Sequence, residues 1–265
     1  MESYRLEGQT FVIDDYDRKP AFSSFLPGLA GVKGIPLWTF YTNRGQGMNS
    51  FGIDNKGNAI MEFNSANTAF ENTQVKGFRT FLKIDGEYYS FSSDVLPFFT
   101  YEKEAKRQMR MNKNSFKIIE TNEKYGIEVT VNYYVLPNES IGALVRQVSV
   151  KNIGDSAKEV QVIDGLPKII TYGIANGEFK EMSNLFKSWA DIRNLENKVP
   201  YYTLRASTKD SAEVSDVEGG YYYLTVRDGK LQDVIYDVDT VFGYDLSLMT
   251  PVNFIDGSIE GVLSK

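Results

Sequence analysis

Histidine and cysteine are both absent from this sequence of 265 residues. Histidine is the usual general base at neutral pH and the commonest metal ligand, so its absence excludes Ser-His and Cys-His nucleophilic pairs and histidine-based zinc sites. Catalysis by this chain would have to rest on carboxylates, lysine or tyrosine. Without cysteine there is neither a disulfide framework nor thiolate chemistry, which suits a reducing cytoplasm.

Acidic residues outnumber basic ones, 35 to 29, so the formal net charge is −6. No basic stripe is available to neutralise phosphates, so we expect no nucleic-acid partner. The N-terminus lacks a charged segment followed by an apolar one, and no run of about eighteen apolar residues occurs. We therefore expect a cytoplasmic location, with neither secretion nor membrane insertion.

Aromatic residues and glycine are abundant, with 17 Tyr, 17 Phe and 22 Gly. Residues 20–63 concentrate the turn-forming types, namely Pro27, Gly28, Gly31, Gly34, Pro36, Gly45, Gly47, Gly52 and Gly57. Tight turns therefore alternate with short apolar segments, which is typical of β structure. We predict a hairpin in which strands at residues 37–42 and 48–52 flank a glycine turn at 43–47.

The rest of the chain also favours strands. An opening strand is predicted at residues 9–14, and Asp85-Gly86 indicates a second hairpin. Long alternating segments between residues 115 and 166 predict three or four antiparallel strands, in which residues 158–166 pair back onto residues 143–152. Residues 64–73, 200–207 and 221–238 are read as further strands, with a turn at 227–230, as is the final segment 242–262.

One segment has helical spacing, with apolar residues at steps of three and four between residues 176 and 197: Phe179, Met182, Leu185, Phe186, Trp189, Ile192 and Leu195. We predict one helix at about residues 177–195. No linker and no internal repeat is evident. The predicted fold class is all-β, a large antiparallel sandwich of two sheets with one inserted helix, forming a single domain over residues 1–265.

Carboxylates flanked by apolar residues are the first candidates for chemistry, because paired acids hydrolyse glycosides without histidine. They are Glu62, Glu128, Asp164 and Asp233. They lie on four separate strands, so solvent-facing positions are the alternative that we favour. The glycine turn at 43–47 is either a plain turn or a weak phosphate loop, since it lacks the spacing of known phosphate motifs. Tyrosines such as Tyr133, Tyr201 and Tyr222 can stack on sugars or pack in the core.

Several stretches together suggest a family: PAF at residues 20–22, NRGQGMNSF at 43–51, ALVRQVSVKN at 143–152 and KEVQVID at 158–164. In this succession the chain resembles the N-terminal domain of glycoside hydrolase family 94. The stretch IDDYDRKPAFSSFLPGLAGVKGIPLWTFYTNRGQG is most similar to the 1,2-β-oligoglucan phosphorylases, with cellobiose phosphorylase more distant. The resemblance covers nearly the whole chain in layout, but its motifs are structural turns.

The resemblance implies a β-supersandwich that is the N-terminal fragment of a larger chain. In such enzymes an (α/α)₆ barrel, which has no counterpart here, carries the general-acid Asp and the phosphate site. No catalytic residue is therefore assigned in this sequence. The N-terminal domain is expected to mediate homodimerisation and to lend a segment to the neighbouring subunit's active site. That segment matches residues 171–193 best, and its substrate-proximal candidates are Asn184, Lys187, Ser188 and Arg193.

The implied parent reaction is reversible, inverting phosphorolysis of β-1,2-linked glucooligosaccharides to glucose 1-phosphate. Inorganic phosphate takes the place of the water used by an inverting hydrolase, so a single catalytic carboxylate suffices. No cofactor or metal is expected beyond this co-substrate. The competing hypotheses are a stand-alone carbohydrate-binding β-sandwich and a self-contained hydrolase.

Overall fold

The computed structural model describes residues 3–89, 91, 105–209, 211–257 and 259–263. The first strands are β1 (Tyr4–Glu7), β2 (Thr10–Asp14), β3 (Ser23–Ala30), β4 (Ile35–Thr42), β5 (Met48–Ile53), β6 (Ala59–Met61), β7 (Arg79–Ile84), β8 (Glu87–Tyr89) and β9 (Lys106–Met111). They are followed by β10 (Ser115–Asn122), β11 (Ile127–Val135), β12 (Leu144–Asn152), β13 (Val160–Gly165), β14 (Ala190–Arg193), β15 (Tyr201–Leu204), β16 (Tyr221–Tyr222), β17 (Val226–Arg227) and β18 (Lys230–Leu231). The α-helices are α1 (Ala66–Val75), α2 (Asn176–Phe186), α3 (Asp239–Phe242), α4 (Val252–Asp256) and α5 (Ile259–Leu263).

The described strands form several antiparallel sheets. The largest has six strands in the order β1-β2-β9-β10-β11-β12, and a four-stranded sheet has the order β3-β4-β5-β6. Two three-stranded sheets, β13-β7-β8 and β14-β15-β16, and the small β17-β18 hairpin complete the set. The protein is therefore mostly β, as predicted, and it carries more helices than the single one expected.

The main hydrophobic core draws side chains from the two largest sheets and from β7–β8. Phe116 and Tyr133 of the six-stranded sheet stack at 4.6 Å between ring centroids, and Tyr41 of β4 stacks on Phe116 at 4.5 Å. A second core around Trp38, Ile170, Phe179 and Phe186 lies under α2. A third, with Phe81, Phe242 and Phe254, packs the C-terminal helices against β7.

Predictions that depended on turn chemistry are confirmed. β4 and β5 form the hairpin expected around the glycine turn, and β7 and β8 pair across Asp85-Gly86. Both turn residues have positive φ, 52° for Asp85 and 85° for Gly86, which Asp and Gly tolerate best. The β17–β18 hairpin, with its turn at Asp228-Gly229, is confirmed in the same way.

The predicted pairing of residues 158–166 with 143–152 is wrong. β13 instead pairs with β7, with Val160 opposite Ile84 and Gly165 opposite Arg79. The pairing continues beyond the strand, because the backbone N–H of Asp85 donates to the carbonyl of Glu159 at 2.9 Å. The chain therefore leaves the six-stranded sheet after β12.

Two strand predictions and one helix prediction also need correction. The strand expected at 64–73 is replaced by α1 (Ala66–Val75), which buries only Ala69 and Thr73. The final segment 242–262, also expected to be a strand, contains the short helices α4 and α5 and begins at the last residue of α3. The helix expected at about 177–195 ends at Phe186, because residues 190–193 form β14 and pair with β15. No described helix is long and apolar enough to cross a membrane.

Candidate functional site

The glycine turn at residues 43–47 is a buried structural corner. The Asn43 amide donates to the carbonyls of Tyr16 (2.9 Å) and Pro20 (3.0 Å), and its oxygen accepts from the backbone N–H of Phe22 (2.9 Å). Gly47 has φ 84°, and a Cβ there would lie 2.7 Å from the ring of Phe116. The turn is therefore packed against the main core, which supports the plain-turn interpretation over a phosphate loop.

Arg146 of β12 lies beneath this turn and organises a buried polar network. Its guanidinium contacts both carboxylate oxygens of Asp164, the nearest at 2.8 Å, and donates to the hydroxyl of Thr80 at 2.7 Å. It also donates to the side-chain oxygen of Gln46 and to the hydroxyl of Tyr133. The nearby charge of Asp164 raises the pKa of Arg146 although burial opposes the shift. Asp164 thus neutralises a buried cation, which corrects the solvent-facing position expected for it.

The other candidate carboxylates make separate contacts. Glu128 on β11 accepts from the hydroxyl of Thr121 at 3.4 Å, and the exposed Asp233 pairs with Lys198 at 2.8 Å. Glu62 follows β6 and lines a cleft described below. Glu128 and Asp233 thus serve separate local contacts, and Asp164 serves the network around Arg146. Among the described residues, no group of three or more Asp or Glu could hold a metal ion.

The segment expected to approach a substrate consists of α2, a turn and β14. Phe179 and Phe186 are buried in the second core and anchor one face of α2. In the first turn of the helix, the carboxylate of Glu178 accepts from the backbone N–H of Ala175 at 3.2 Å. It ends where the hydroxyl of Ser188 donates to the carbonyl of Leu185 at 2.7 Å. The other face of this segment carries exposed Met182, Leu185 and Trp189.

The four predicted substrate-proximal residues are spread along this segment. Lys187 and Ser188 lie in the exposed turn after α2, and Arg193 is exposed at the end of β14, where it pairs with Asp191 at 2.7 Å. Asn184 lies within α2, and its side chain is outside the described part of the structure. The structure therefore brings Lys187 and Ser188 together and places Arg193 on a different element.

A cleft lies between this segment and the β5–β6 hairpin. Its walls come from five parts of the chain: Asn49, Met61, Glu62, Asn64, Asn72, Lys76, Lys168, Ile169, Ile170 and Phe179. Its cavity volume is about 20 Å³, far below that of a pocket for a drug-sized ligand, and the cleft is open to solvent. Two hydrogen bonds hold its walls together, from the N–H of Ile170 to the carbonyl of Ile60 (2.8 Å) and from the N–H of Phe63 to the side chain of Asn176 (3.0 Å).

Asn49 is the most deeply buried polar side chain in this cleft, with 7% of its surface exposed. It is the extra residue of a β-bulge, because Phe40 of β4 lies opposite Ser50 and Tyr41 lies opposite Met48. A bulge redirects a side chain out of the strand's alternation. The side-chain oxygen of Asn49 is buried without a hydrogen-bond partner. The only signal in the sequence was the polar pair Asn49-Ser50 between Met48 and Phe51.

Lys168 contributes a half-buried ammonium, which lies 4.7 Å from the ring centroid of Phe179. Burial lowers the pKa of Lys168, the carboxylate of Glu62 opposes this shift, and the charges of Lys76 and Lys187 add to it. Lys187, one of the predicted site residues, thus acts electrostatically on the cleft. The sequence does not identify Lys168 as a site residue, because a single lysine after a strand belongs to no recognisable motif.

No protein-family model matches the chain. No curated protein matches it significantly either.

Proposed function

We propose that this chain is the non-catalytic N-terminal β-sandwich of an inverting glycoside phosphorylase of family 94, one that acts on β-1,2-linked glucooligosaccharides. Its role would be to form the homodimer and to shape the active site carried by an (α/α)₆ catalytic domain. The sequence resemblance and the antiparallel β architecture support this proposal. A supersandwich arrangement of the sheets, with inorganic phosphate as co-substrate and no cofactor, belongs to the same proposal.

The observation that carries the proposal is that the segment from α2 to β14 has one side buried in the second core and another side that exposes large apolar side chains. Phe179 and Phe186 fix it to the second core, and the ring of Trp189 packs edge-on against Phe186 at 5.7 Å. Its outer side carries Met182, Leu185 and Trp189 with 41%, 51% and 40% of their surfaces exposed. An exposed surface that contains Trp and Met is typical of protein interfaces.

The polar groups beside this apolar surface fit a role near a substrate. Lys187 and Ser188 are exposed in the same turn, and the carbonyl of Ser188 is held by the guanidinium of Arg205 at 2.8 Å. The N–H of Arg205 in turn donates to the carbonyl of Trp189 at 3.0 Å. Arg205, which follows β15, therefore braces the backbone of this turn.

Replacing Trp189 by serine should weaken self-association of the chain about 30-fold, the effect of losing a central aromatic worth about 2 kcal/mol. Sedimentation equilibrium over a concentration series measures the dimer dissociation constant. Tyr244→Ser is the control, because Tyr244 is 83% exposed on a loop outside this segment. A wild-type chain that stays monomeric at high micromolar concentration, or a Trp189→Ser chain that dimerises as tightly, would contradict the role in dimerisation.

The chain alone should also show neither turnover nor tight glucan binding. With β-1,2-glucooligosaccharides and phosphate, an assay for glucose 1-phosphate should detect no product, because catalysis is assigned to the other domain. Calorimetry with the same oligosaccharides should detect no binding tighter than millimolar.

Tight calorimetric binding would instead favour the carbohydrate-binding module. One feature fits that alternative, since Tyr201 and the exposed Tyr222 form an aromatic pair at 5.0 Å. Turnover by the chain alone would favour the self-contained hydrolase.

A further inference from the structure

The cleft formed by β5, β6, α1, α2 and residues 168–170 has an excess of positive charge. Lys168 lies in its wall with Lys76, and Lys187 is close enough to affect the titration of Lys168. Glu62 is the carboxylate that faces these ammonium groups. These ammonium groups repel one another, and a bound anion would offset that repulsion. The charge balance therefore favours an anionic ligand over a metal ion or a neutral sugar.

The buried side-chain oxygen of Asn49 requires, in addition, a ligand that can donate a hydrogen bond. Leaving a buried oxygen without a donor is unfavourable, and the β-bulge at Asn49 disturbs the β4–β5 ladder as well. A ligand that supplies an O–H group would remove this cost. Phe179, Met61 and Ile170 form an apolar base that excludes water from one side and strengthens the polar contacts.

We propose that this cleft binds a small hydroxylated oxyanion, namely hydrogen phosphate or the phosphate group of a small phosphomonoester. Its anionic oxygens would accept from Lys168 and Lys76, and a P–OH or a neighbouring hydroxyl would donate to Asn49. Asn64 and Asn72 also line the cleft, where their amides can bond the remainder of a larger ligand. Such binding would hold whether or not this chain serves a phosphorylase, because only residues of the cleft take part.

Calorimetric titration of the 265-residue chain at constant ionic strength tests this site with four probes: inorganic phosphate, glucose 6-phosphate, sulfate and glucose. Phosphate or glucose 6-phosphate should bind saturably at a stoichiometry of one, and the tighter of the two identifies the source of the phosphate group. Sulfate, which has the same shape but no O–H at neutral pH, should bind about fivefold more weakly than phosphate, the effect of about one hydrogen bond. Glucose should not bind.

Variants locate the binding. Lys168→Met should weaken phosphate binding about tenfold, because a charge-assisted hydrogen bond is lost. Asn49→Leu should remove the preference for phosphate over sulfate. Lys106→Met is the control, since Lys106 is 75% exposed on the six-stranded sheet and pairs with Glu123. Thermal unfolding of each variant verifies that it is folded.

Four results would overturn the proposal: no saturable phosphate or phosphomonoester binding by the wild type, sulfate bound as tightly as phosphate, glucose bound as tightly as glucose 6-phosphate, or unchanged binding in Lys168→Met. The proposed phosphorylase role is tested separately, by self-association and turnover. Either proposal can therefore fail while the other stands.

Discussion

Arg146→Met should lower the free energy of unfolding by about 3–5 kcal/mol, the range found when one partner of a buried ion pair is removed. The side chain of Arg146 is 6% exposed and contacts four other side chains at once. Without the guanidinium, Asp164 keeps a negative charge in a largely buried position, where the hydroxyl of Thr80 still donates to it at 2.6 Å. The hydroxyl of Tyr133 and the amide oxygen of Gln46 lose a donor as well.

Urea denaturation of wild type and variant at neutral pH measures this difference. Arg193→Met is the matched control, because Arg193 also pairs with an aspartate at 2.7 Å but is 60% exposed. Exposed pairs of this kind contribute at most about 1 kcal/mol. A loss below about 1 kcal/mol in Arg146→Met would show that the network does not hold the glycine turn, β7 and β13 on the six-stranded sheet.

Glu120→Leu should be destabilising to a similar degree, by about 3–5 kcal/mol. Glu120 on β10 is 1% exposed, and its carboxylate accepts from Arg107 at 2.6 Å and from the hydroxyl of Tyr89. Burial and the charge of Glu120 raise the pKa of Tyr89, so this hydroxyl stays a donor at every working pH. Removing Glu120 leaves the guanidinium of Arg107 buried, with Asp17 at 3.4 Å.

The control for Glu120→Leu is a variant that removes an ion pair of the same length at an exposed position. Glu123→Leu removes an ion pair with Lys106 that has the same 2.6 Å separation, but both partners are more than 70% exposed. The same denaturation experiment should find a change below about 1 kcal/mol for Glu123→Leu. Equal losses in the two variants would mean that burial does not decide the strength of these pairs.

These two networks join parts of the chain that lie far apart in sequence. Arg146 connects β12 with the glycine turn, β7 and β13, and Glu120 connects β10 with β9 and β8. In the sequence, Arg146 and Glu120 are single charges that belong to no motif, although the alternation places them on the same strand faces as Val148 and Ile118. Only the tertiary structure shows which distant side chains they contact.

The same reasoning explains the errors in secondary structure. α1 buries two small side chains, Ala69 and Thr73, so its sequence carries almost no helical pattern. α3, α4 and α5 have four or five residues each, which is too short for a period to show. The apolar spacing of three and four residues continues past Phe186 into β14, so the sequence pattern predicts a helix that is too long. There the pairing of β14 with β15 overrides the helical pattern.

The sequence by itself determined the β-rich class and the hairpins, because Asp-Gly and glycine turns impose their geometry through local backbone preferences. It also determined the excluded chemistries, since no fold can supply histidine or cysteine that the chain lacks. The tertiary structure alone decided that β13 joins β7, that Arg146 and Glu120 are buried, and that Asn49 and Lys168 share a cleft. These features arise from contacts between residues distant in sequence, and the physical reason is that burial and strand partners depend on the whole chain.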